Sequence, residues 1–185
     1  MKRIFILLIL ITHTQFGWGN GVYVEGQSGA QMGLAHVALG YQWSQNHYLG
    51  AGLGYVPDRS DHEEMSLMSF SYLYSGSTRW TIADGWAIKP FNFGTSLIIA
   101  SHSDLFVSLP EQYPDEYYTP TAVRLLFHYQ LAVTYGQQWD AYVDFSILDV
   151  GLASYIREPE FFNRHYDYLG LEGVTHWGVG VRYRF

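Results

Sequence analysis

The alternation of apolar and polar positions is clearest at the carboxyl end of the sequence, over residues 173–185. Steps of two back from the final residue meet an apolar or aromatic side chain each time, at Phe185, Tyr183, Val181, Val179 and Trp177. The positions between them are small, polar or charged. A period of two is typical of a β-strand whose faces meet different surroundings, so this segment predicts a two-faced strand.

The same alternation predicts seven further strands earlier in the chain. Their expected bounds are 22–27, 34–43, 48–56, 66–74, 86–100, 121–135 and 139–150. In the third, Gly50, Gly52 and Gly54 form the inward set, which indicates a narrow interior where larger side chains from other strands need room. Pro90 cannot donate a ladder hydrogen bond, so a bulge or a late start is expected in the fifth. Residues 75–84 are expected to form a connection with two possible registers.

The eight segments together predict an all-β fold, an eight-stranded antiparallel transmembrane β-barrel of the up-and-down type. A transmembrane strand needs ~9–11 residues that alternate outward apolar with inward small or polar side chains. The connections after the second, fourth and sixth segments are mostly short, and those after the third, fifth and seventh are long. Barrels of this class have short periplasmic turns and long outer loops, which leaves residues 28–33 as an unusually short outer loop.

Residues 1–19 are expected to be a secretory signal peptide. A basic start precedes the apolar run 4–11, and the small residues Gly17 and Gly19 suit the cleavage point. The apolar run is too short for a spanning helix, which needs ~20 apolar residues. The expected division is therefore a signal peptide over 1–19 and one outer-membrane β-barrel domain over 20–185, since a closed barrel is the remaining way to span a membrane.

Composition narrows the classes of function. Charged residues make up 15% of the chain and aromatic residues 18%, with 19 glycines. Few charges and many aromatic and glycine residues suit a barrel with aromatic girdles and small interior side chains. The absence of cysteine excludes disulfides and thiolate chemistry. A net charge of −7 argues against nucleic-acid binding. No cofactor and no dedicated metal site are expected.

The inward faces of the predicted strands carry ionisable side chains of both signs. The expected polar network of the lumen comprises Glu25, His36, Arg124, His128, Asp144, His176 and Arg182, with Arg184 on the same face. Glu25 and Arg182 lie on strands that become neighbours when the barrel closes, and Asp144 is expected between His128 and the arginines. Buried charges must be paired, so a network of salt bridges and hydrogen bonds is the first interpretation. A proton-linked or catalytic cluster is the alternative.

The outer loops are candidates for contacts outside the barrel. The loop at 57–64 concentrates acidic residues around one histidine, which suits Ca²⁺ or the Mg²⁺ ions that bridge lipopolysaccharide phosphates, or simply a solvated loop. The loop at 101–120 is more apolar than a loop surrounded by water usually is. We expect it to bind a partner, contact lipid headgroups or fold over the barrel mouth. The loop at 155–168 mixes aromatic residues with cations that could meet lipopolysaccharide phosphate or pack on the preceding loop.

The mature chain resembles the small eight-stranded bacterial outer-membrane β-barrels of the OmpA and OmpX type over its whole length. In that family the aromatic closing strand is the signal read by the barrel-assembly machinery, a role the resemblance assigns to Trp177, Tyr183 and Phe185. Residues 89–91, Lys-Pro-Phe, precede an apolar strand with Gly and Ser and are similar to the middle strand of the PagL-type lipid A deacylases.

The second resemblance implies a lipid-facing serine hydrolase with a His and a Ser two residues apart and a Glu. The corresponding stretch over 144–149 contains no histidine. Ser101, His102 and Ser103 are therefore the only catalytic candidates. A serine hydroxyl without a base within reach is a poor nucleophile, so the resemblance extends to the fold and not to the activity.

These patterns predict a monomeric, integral β-barrel protein of the bacterial outer membrane with a structural or interaction role at the cell envelope. It would act through long aromatic extracellular loops, with membrane lipid, lipopolysaccharide and the barrel-assembly machinery as partners. Two alternatives stay open. One is a lipid A or phospholipid acyl hydrolase with a diverged site, and the other is a narrow pore or transporter. Eight strands leave little open lumen, which argues against a wide channel.

Overall fold

A computed structural model gives the fold for residues 21–58, 63–101, 122–149, 156 and 175–185. The predicted signal peptide and large parts of the three long predicted loops lie outside the described residues. The same holds for His102 and Ser103, whereas Ser101 is the last residue of a strand. No helix in the described ranges is long and apolar enough to cross a membrane.

Antiparallel strands make up most of the described chain. They are β1 Gly21–Gly29, β2 Ala35–Gln42, β3 His47–Val56, β4 Met65–Ser75, β5 Trp80–Ala83, β6 Trp86–Ser101, β7 Val123–Tyr135, β8 Trp139–Leu148 and β9 Thr175–Arg184. β1 pairs with β9, and β4 pairs with β6, so the sheet closes on itself and β5 stays outside the closed ring. The predicted eight-stranded, all-antiparallel up-and-down barrel is confirmed.

The two ends of the barrel differ. One end, here named the turn end, holds Gly21, Phe185 and the turns at 43–46, 84–85 and 136–138. The other, named the loop end, holds the loop at 30–34 and the ends of the strands that lead into the long connections. Following paired residues from Gly21 once around the ring leads to His176, near the loop end of β9. The strands are therefore strongly tilted against the barrel axis.

The expected connection over residues 75–84, with its two possible registers, contains the short strand β5, which the sequence did not predict. β5 pairs with the first residues of β6 and places Trp80 opposite Ile88. The turn at 84–85 joins the two strands, and its Gly85 has a left-handed φ of 77° that suits glycine. Four residues carry too short an alternation to be told from a loop, which is why the sequence pattern missed this strand.

β6 contains the irregularity expected at Pro90. The pairing of β6 with β7 shifts between Lys89 and Asn92, where β6 has one residue more than its partner. The carbonyl of Pro90 accepts a hydrogen bond from the hydroxyl of Tyr129 at 2.7 Å. The predicted bulge is confirmed, and it separates the part of β6 that pairs with β4 from the part that pairs with β5.

The distribution of side chains reverses that of a soluble domain. Apolar side chains such as Leu39, Leu53 and Phe93 cover the outer surface and are about half exposed or more. Most of the buried charged and amide side chains lie in the interior, at Glu25, Gln27, Asn92, Gln130, Asp140, Asp144, Arg182 and Arg184. The predicted alternation of outward apolar and inward polar positions therefore holds around the ring.

The interior is filled in layers. The loop-end cluster consists of the buried residues Met32, Leu67, Ile98 and Leu126. The turn-end cluster consists of Tyr23, Tyr48 and Leu73. Polar side chains fill the space between the two clusters. A Cβ atom at Gly50 would lie 2.6 Å from the hydroxyl of Tyr23, so this inward glycine makes the room that the sequence pattern indicated.

Candidate functional site in the barrel interior

Glu25 and Arg182 face each other across the seam where the first and last strands meet. They are directly paired in the register of β1 and β9, and both side chains are buried. The Nε atom of Arg182 donates to Oε2 of Glu25 at 2.6 Å, and Nη2 lies 2.5 Å from the same oxygen. A buried carboxylate next to a guanidinium is tolerated only as a well-bonded pair. This pair therefore ties the two ends of the sheet together.

Three tyrosine rings surround the guanidinium of Arg182. Its Cζ atom lies 5.4 Å from the ring centroid of Tyr23, 5.3 Å from that of Tyr48 and 5.2 Å from that of Tyr142. A cation over an aromatic face at this distance is stabilised by roughly 0.5–2 kcal/mol per ring. Nη2 of Arg182 also donates to Oε1 of Gln130 at 3.3 Å. One cation thus contacts side chains from β1, β3, β7 and β8.

A second buried ion pair joins Arg184 and Asp140 nearer the turn end. Nη2 of Arg184 donates to Oδ1 of Asp140 at 2.9 Å, and Nη1 donates to Oδ2, so the pair is bidentate. Nε of Arg184 donates to the carbonyl of Gln137 at 2.7 Å, which fixes the turn between β7 and β8. Oδ2 of Asp140 lies 3.9 Å from Nη1 of Arg182. The two ion pairs therefore form one charged network. The bidentate contact of Arg184 with Asp140 is a strong form of charge-assisted hydrogen bond.

The Asp144 carboxylate is the centre of a third group of polar contacts, and none of its surface is exposed. Its Oδ2 atom accepts hydrogen bonds from Nε2 of Gln27 at 3.2 Å and from Nε2 of Gln130 at 3.1 Å. Nδ1 of His128 lies 3.1 Å from both carboxylate oxygens. The hydroxyl of Tyr142 donates to Oε1 of Gln27 at 3.2 Å. β1, β7 and β8 are linked through this one carboxylate.

A small cavity of about 20 Å³ lies among these side chains, and its walls include His36, His128, Asp144 and Arg182. This volume holds about one water molecule. Nδ1 of His36 and Nε2 of His128 are buried, and no group in the described part of the chain bonds to them. The space at this level is far smaller than a conducting pore requires.

The connection from β1 to β2 folds over the loop end of the lumen. Ala30 and Met32 are buried, and Met32 belongs to the loop-end cluster. The carbonyl of Ala30 accepts a hydrogen bond from Oγ of Ser146 at 3.1 Å. Ala30 and Gln31 have φ values of 52° and 66°, a left-handed conformation that is uncommon for residues other than glycine. The short outer loop expected at 28–33 therefore covers the lumen in a conformation that is costly for its sequence.

The expected network of seven residues is divided in the structure. Glu25, His128, Asp144 and Arg182 come together around Gln130. Two of the expected residues lie elsewhere. Arg124 lies on the loop-end side of Leu126 and bonds to the carbonyl of Val123, and His176 is half-buried opposite Ser146. His36 lines the same small cavity as His128 and Asp144, and it bonds to Ser69. Asp144 lies on the strand between those of His128 and the arginines, as expected, and it contacts His128, whereas the arginines pair with Glu25 and Asp140.

The contact between His36 and Ser69 has the geometry of a base beside a nucleophile. Nε2 of His36 lies 2.8 Å from Oγ of Ser69. Sequence spacing could not reveal the contact, because the two residues belong to different strands. Both side chains are buried in the filled interior, whereas an acyl hydrolase needs a nucleophile that lipid can reach. A structural hydrogen bond is the interpretation that the surroundings favour.

Sequence reasoning missed several residues of the site, and only some had a readable signal. Asp140 and Tyr142 occupy the same inward register as Asp144, so alternation along the seventh predicted strand could have identified them. Met32 lies in a turn, where alternation gives no information. Within the described ranges, no group of three or more His, Cys, Asp or Glu residues is arranged to hold a metal ion.

The residues of the expected assembly signal lie on the outer surface. Trp177 and Phe185 are exposed, and Tyr183 is half-buried between Trp139 and Phe185, at centroid distances of 4.6 Å and 5.1 Å. Tyr183, Trp139 and Phe185 form part of the outer rim of the turn end, whereas Trp177 lies near the loop end of β9. The expected loop at 57–64 is described only at its ends, where the hydroxyl of Tyr55 donates to Glu64 at 3.1 Å.

Comparison with known proteins supports the fold. No protein-family profile matches the chain, and no curated protein sequence matches it. Among solved structures, the N-terminal β-barrel domain of OprF from Pseudomonas aeruginosa is similar, with a TM-score of 0.54 and 14% sequence identity. The similarity covers 92% of this chain and 100% of the OprF domain. At this identity the match shows a shared eight-stranded barrel fold, as in the OmpA type, and the likeness to PagL is not shown.

Proposed function

We propose that this protein is an integral β-barrel of the bacterial outer membrane with a structural or interaction role at the cell envelope. The observation that carries the proposal is the reversed polarity of a closed barrel. Its outer surface presents apolar side chains such as Leu39 and Leu53, and its interior holds buried ion pairs. The closed ring of eight strands has no edge and satisfies its backbone hydrogen bonds internally, which is the condition for crossing a bilayer with strands.

The filled interior supports a role at the surface of the molecule. Met32 and its neighbours fill the loop end, Arg182 with Tyr23 and Tyr48 fills the interior below them, and the pair of Arg184 and Asp140 lies nearest the turn end. A pore or transporter would need these layers to move apart. The long connections at the loop end are the remaining place for recognition of lipopolysaccharide or a partner, as their aromatic composition suggests.

Two experiments on the native protein test the membrane proposal. Membranes of a Gram-negative host that expresses the full chain are separated by density, and the barrel is extracted in mild detergent. We expect the protein in the outer-membrane fraction, with a shift in gel migration between unheated and boiled samples. Recovery in the soluble fraction, or migration that does not change on boiling, would contradict the proposal.

Two further measurements separate the proposed role from its alternatives. Planar bilayers that contain the purified barrel should show no single-channel current, because the interior is filled. Mass spectra of lipid A and phospholipids from cells with and without the protein should be the same. Stepwise currents would favour the pore, and loss of an acyl chain would favour the hydrolase.

A further inference from the structure

At the turn end, β5 takes the place of β4 beside the start of β6 and lies outside the closed ring. The last pair between β4 and β6 joins Ser75 to Asn92, yet β6 begins earlier, at Trp86. The bulge at Pro90 lies between the two parts of β6, and the first part stays paired with β7 on its other side. Residues 80–88 therefore form a feature of their own, here named the tongue.

The tongue exposes large apolar side chains, although β5 is not one of the eight strands that close the ring. All four residues of β5 are exposed, including Trp80 and Ile82, and Trp86 is exposed on the paired strand. Among the described residues β5 pairs only with β6, so its other backbone edge is open. A water-exposed edge strand usually carries charged side chains rather than tryptophan and isoleucine. This composition indicates that the tongue lies against something apolar.

The tongue is fixed in place and continues the outer apolar surface. The rings of Trp86 and Tyr135 lie 4.8 Å apart, which joins the tongue to the apolar face of β7. The amide of Gly136 donates to the carbonyl of Gly85 at 2.8 Å, and Nη2 of Arg79 donates to the carbonyl of Gly136 at 3.2 Å. The tongue therefore extends the outward face of β6 and β7 without a polar break.

We propose that the tongue binds the membrane interface and lies in the headgroup layer of the periplasmic leaflet. The inference rests on the proposed function, because it needs a barrel that is already in a bilayer. Tryptophan combines an apolar ring with one N–H donor and is the side chain most suited to headgroup depth. Arg79 adds a cation beside it for lipid phosphate. The polar turn at 84–85 faces the aqueous side. The partner is thus phospholipid. At the turn end, the apolar surface of the barrel reaches further into the headgroup layer at the tongue than at the other strands.

Site-directed spin labelling tests this position, because the chain has no cysteine of its own. One cysteine is placed in the tongue by Ile82→Cys, at a side chain that is 58% exposed. Leu39→Cys is the matched reference on the outer surface of the ring, at 57% exposure. Gln45→Cys is the reference in an exposed turn at the same end of the barrel. Each full-length mature variant is labelled in phospholipid vesicles, and heat-dependent gel migration checks its folding. Oxygen, which partitions into lipid, and a water-soluble nickel chelate are the relaxing agents.

The label at 82 should collide more with oxygen and less with the nickel chelate than the label at 45. Collisions at 82 equal to those at 45 would overturn the tongue proposal, while a lipid-like result at 39 would leave the membrane proposal intact. Shielding of the label at 82 from both agents would mean contact with protein, for instance a second copy, and would also overturn it. A water-like result at 39 would instead contradict the proposed function.

Discussion

Arg182 is the interior residue on which most contacts converge, and it gives the first prediction. Replacing Arg182 with Met should lower the free energy of unfolding by about 3–5 kcal/mol, because Glu25 would stay buried without its counter-charge. The loss of the three tyrosine contacts acts in the same direction. Urea-induced unfolding in lipid vesicles, followed by tryptophan fluorescence, measures the change.

Arg79 provides the comparison, since it is an exposed arginine whose hydrogen bond within the described residues goes to the carbonyl of Gly136. Arg79→Met should cost no more than about 1 kcal/mol, because it removes an exposed hydrogen bond and a headgroup contact and leaves no charge buried alone. The double variant Glu25→Leu with Arg182→Met should recover a large part of the loss, because no charge is then left buried alone. Equal effects at Arg182 and Arg79 would show that the interior pair is not structural.

Alanine substitutions at two glycines on neighbouring strands distinguish the effect of interior packing on stability from that of backbone freedom. A Cβ atom at Gly180 would overlap the ring of Tyr142, which is buried against Arg182 and has little room to move. Gly180→Ala should therefore cost about 1–3 kcal/mol through overpacking. At Gly26 a Cβ atom meets nothing within 4 Å, so Gly26→Ala should be neutral or stabilising by about 0.4–1 kcal/mol. Urea midpoints of the two variants give the comparison, and a loss of equal size in both would contradict it.

The short connection between β1 and β2 contains an unfavourable backbone conformation. Gln31 is exposed and has a φ of 66°, which costs a residue with a Cβ atom roughly 1–2 kcal/mol. Gln31→Gly should therefore stabilise the barrel, by up to about 1 kcal/mol after the added freedom of the unfolded chain is counted. Gln45→Gly, in an exposed turn without a left-handed φ, should have the opposite sign. Thermal unfolding of both variants in one mild detergent should show a higher midpoint for Gln31→Gly and a lower midpoint for Gln45→Gly than for the unchanged chain.

The elements that could be predicted are those in which alternation is long enough to read. β7 and β9 follow the expected bounds closely, and Pro90 marked the bulge in β6 because proline cannot donate to the ladder. β5 could not be predicted, because four residues carry almost no period. The pair of Glu25 and Arg182 followed from closure of the ring. The three tyrosine rings around Arg182 could not be predicted in this way. Their contacts depend on which side chains meet across the lumen, and this is set by the strand tilt.

The whole molecule combines a filled interior with an apolar outer surface. The neutral loop-end cluster lies on one side of the charged network, whereas Arg184 and Asp140 lie at the turn end, where Arg184 also bonds to the carbonyl of Gln137. Low polarity around a charge pair strengthens its attraction and also makes an unpaired charge costly. The same filling leaves a cavity of only about 20 Å³ among the side chains around Arg182 and Asp144. The proposed interaction role therefore assigns recognition to the outer surface or to the long connections.

Two leucines with the same exposure test whether hydrocarbon surrounds the barrel. Leu39 is 57% exposed in the middle of β2, and Leu34 is 56% exposed beyond its loop end. Leu39→Arg should lower the free energy of unfolding in vesicles by about 2–4 kcal/mol, because the charge lies near the bilayer centre, and Leu34→Arg should cost only about 0–1 kcal/mol. On a surface in water both changes would be nearly neutral. Small and equal effects of the two arginines in vesicles would therefore mean that the outer surface does not face lipid.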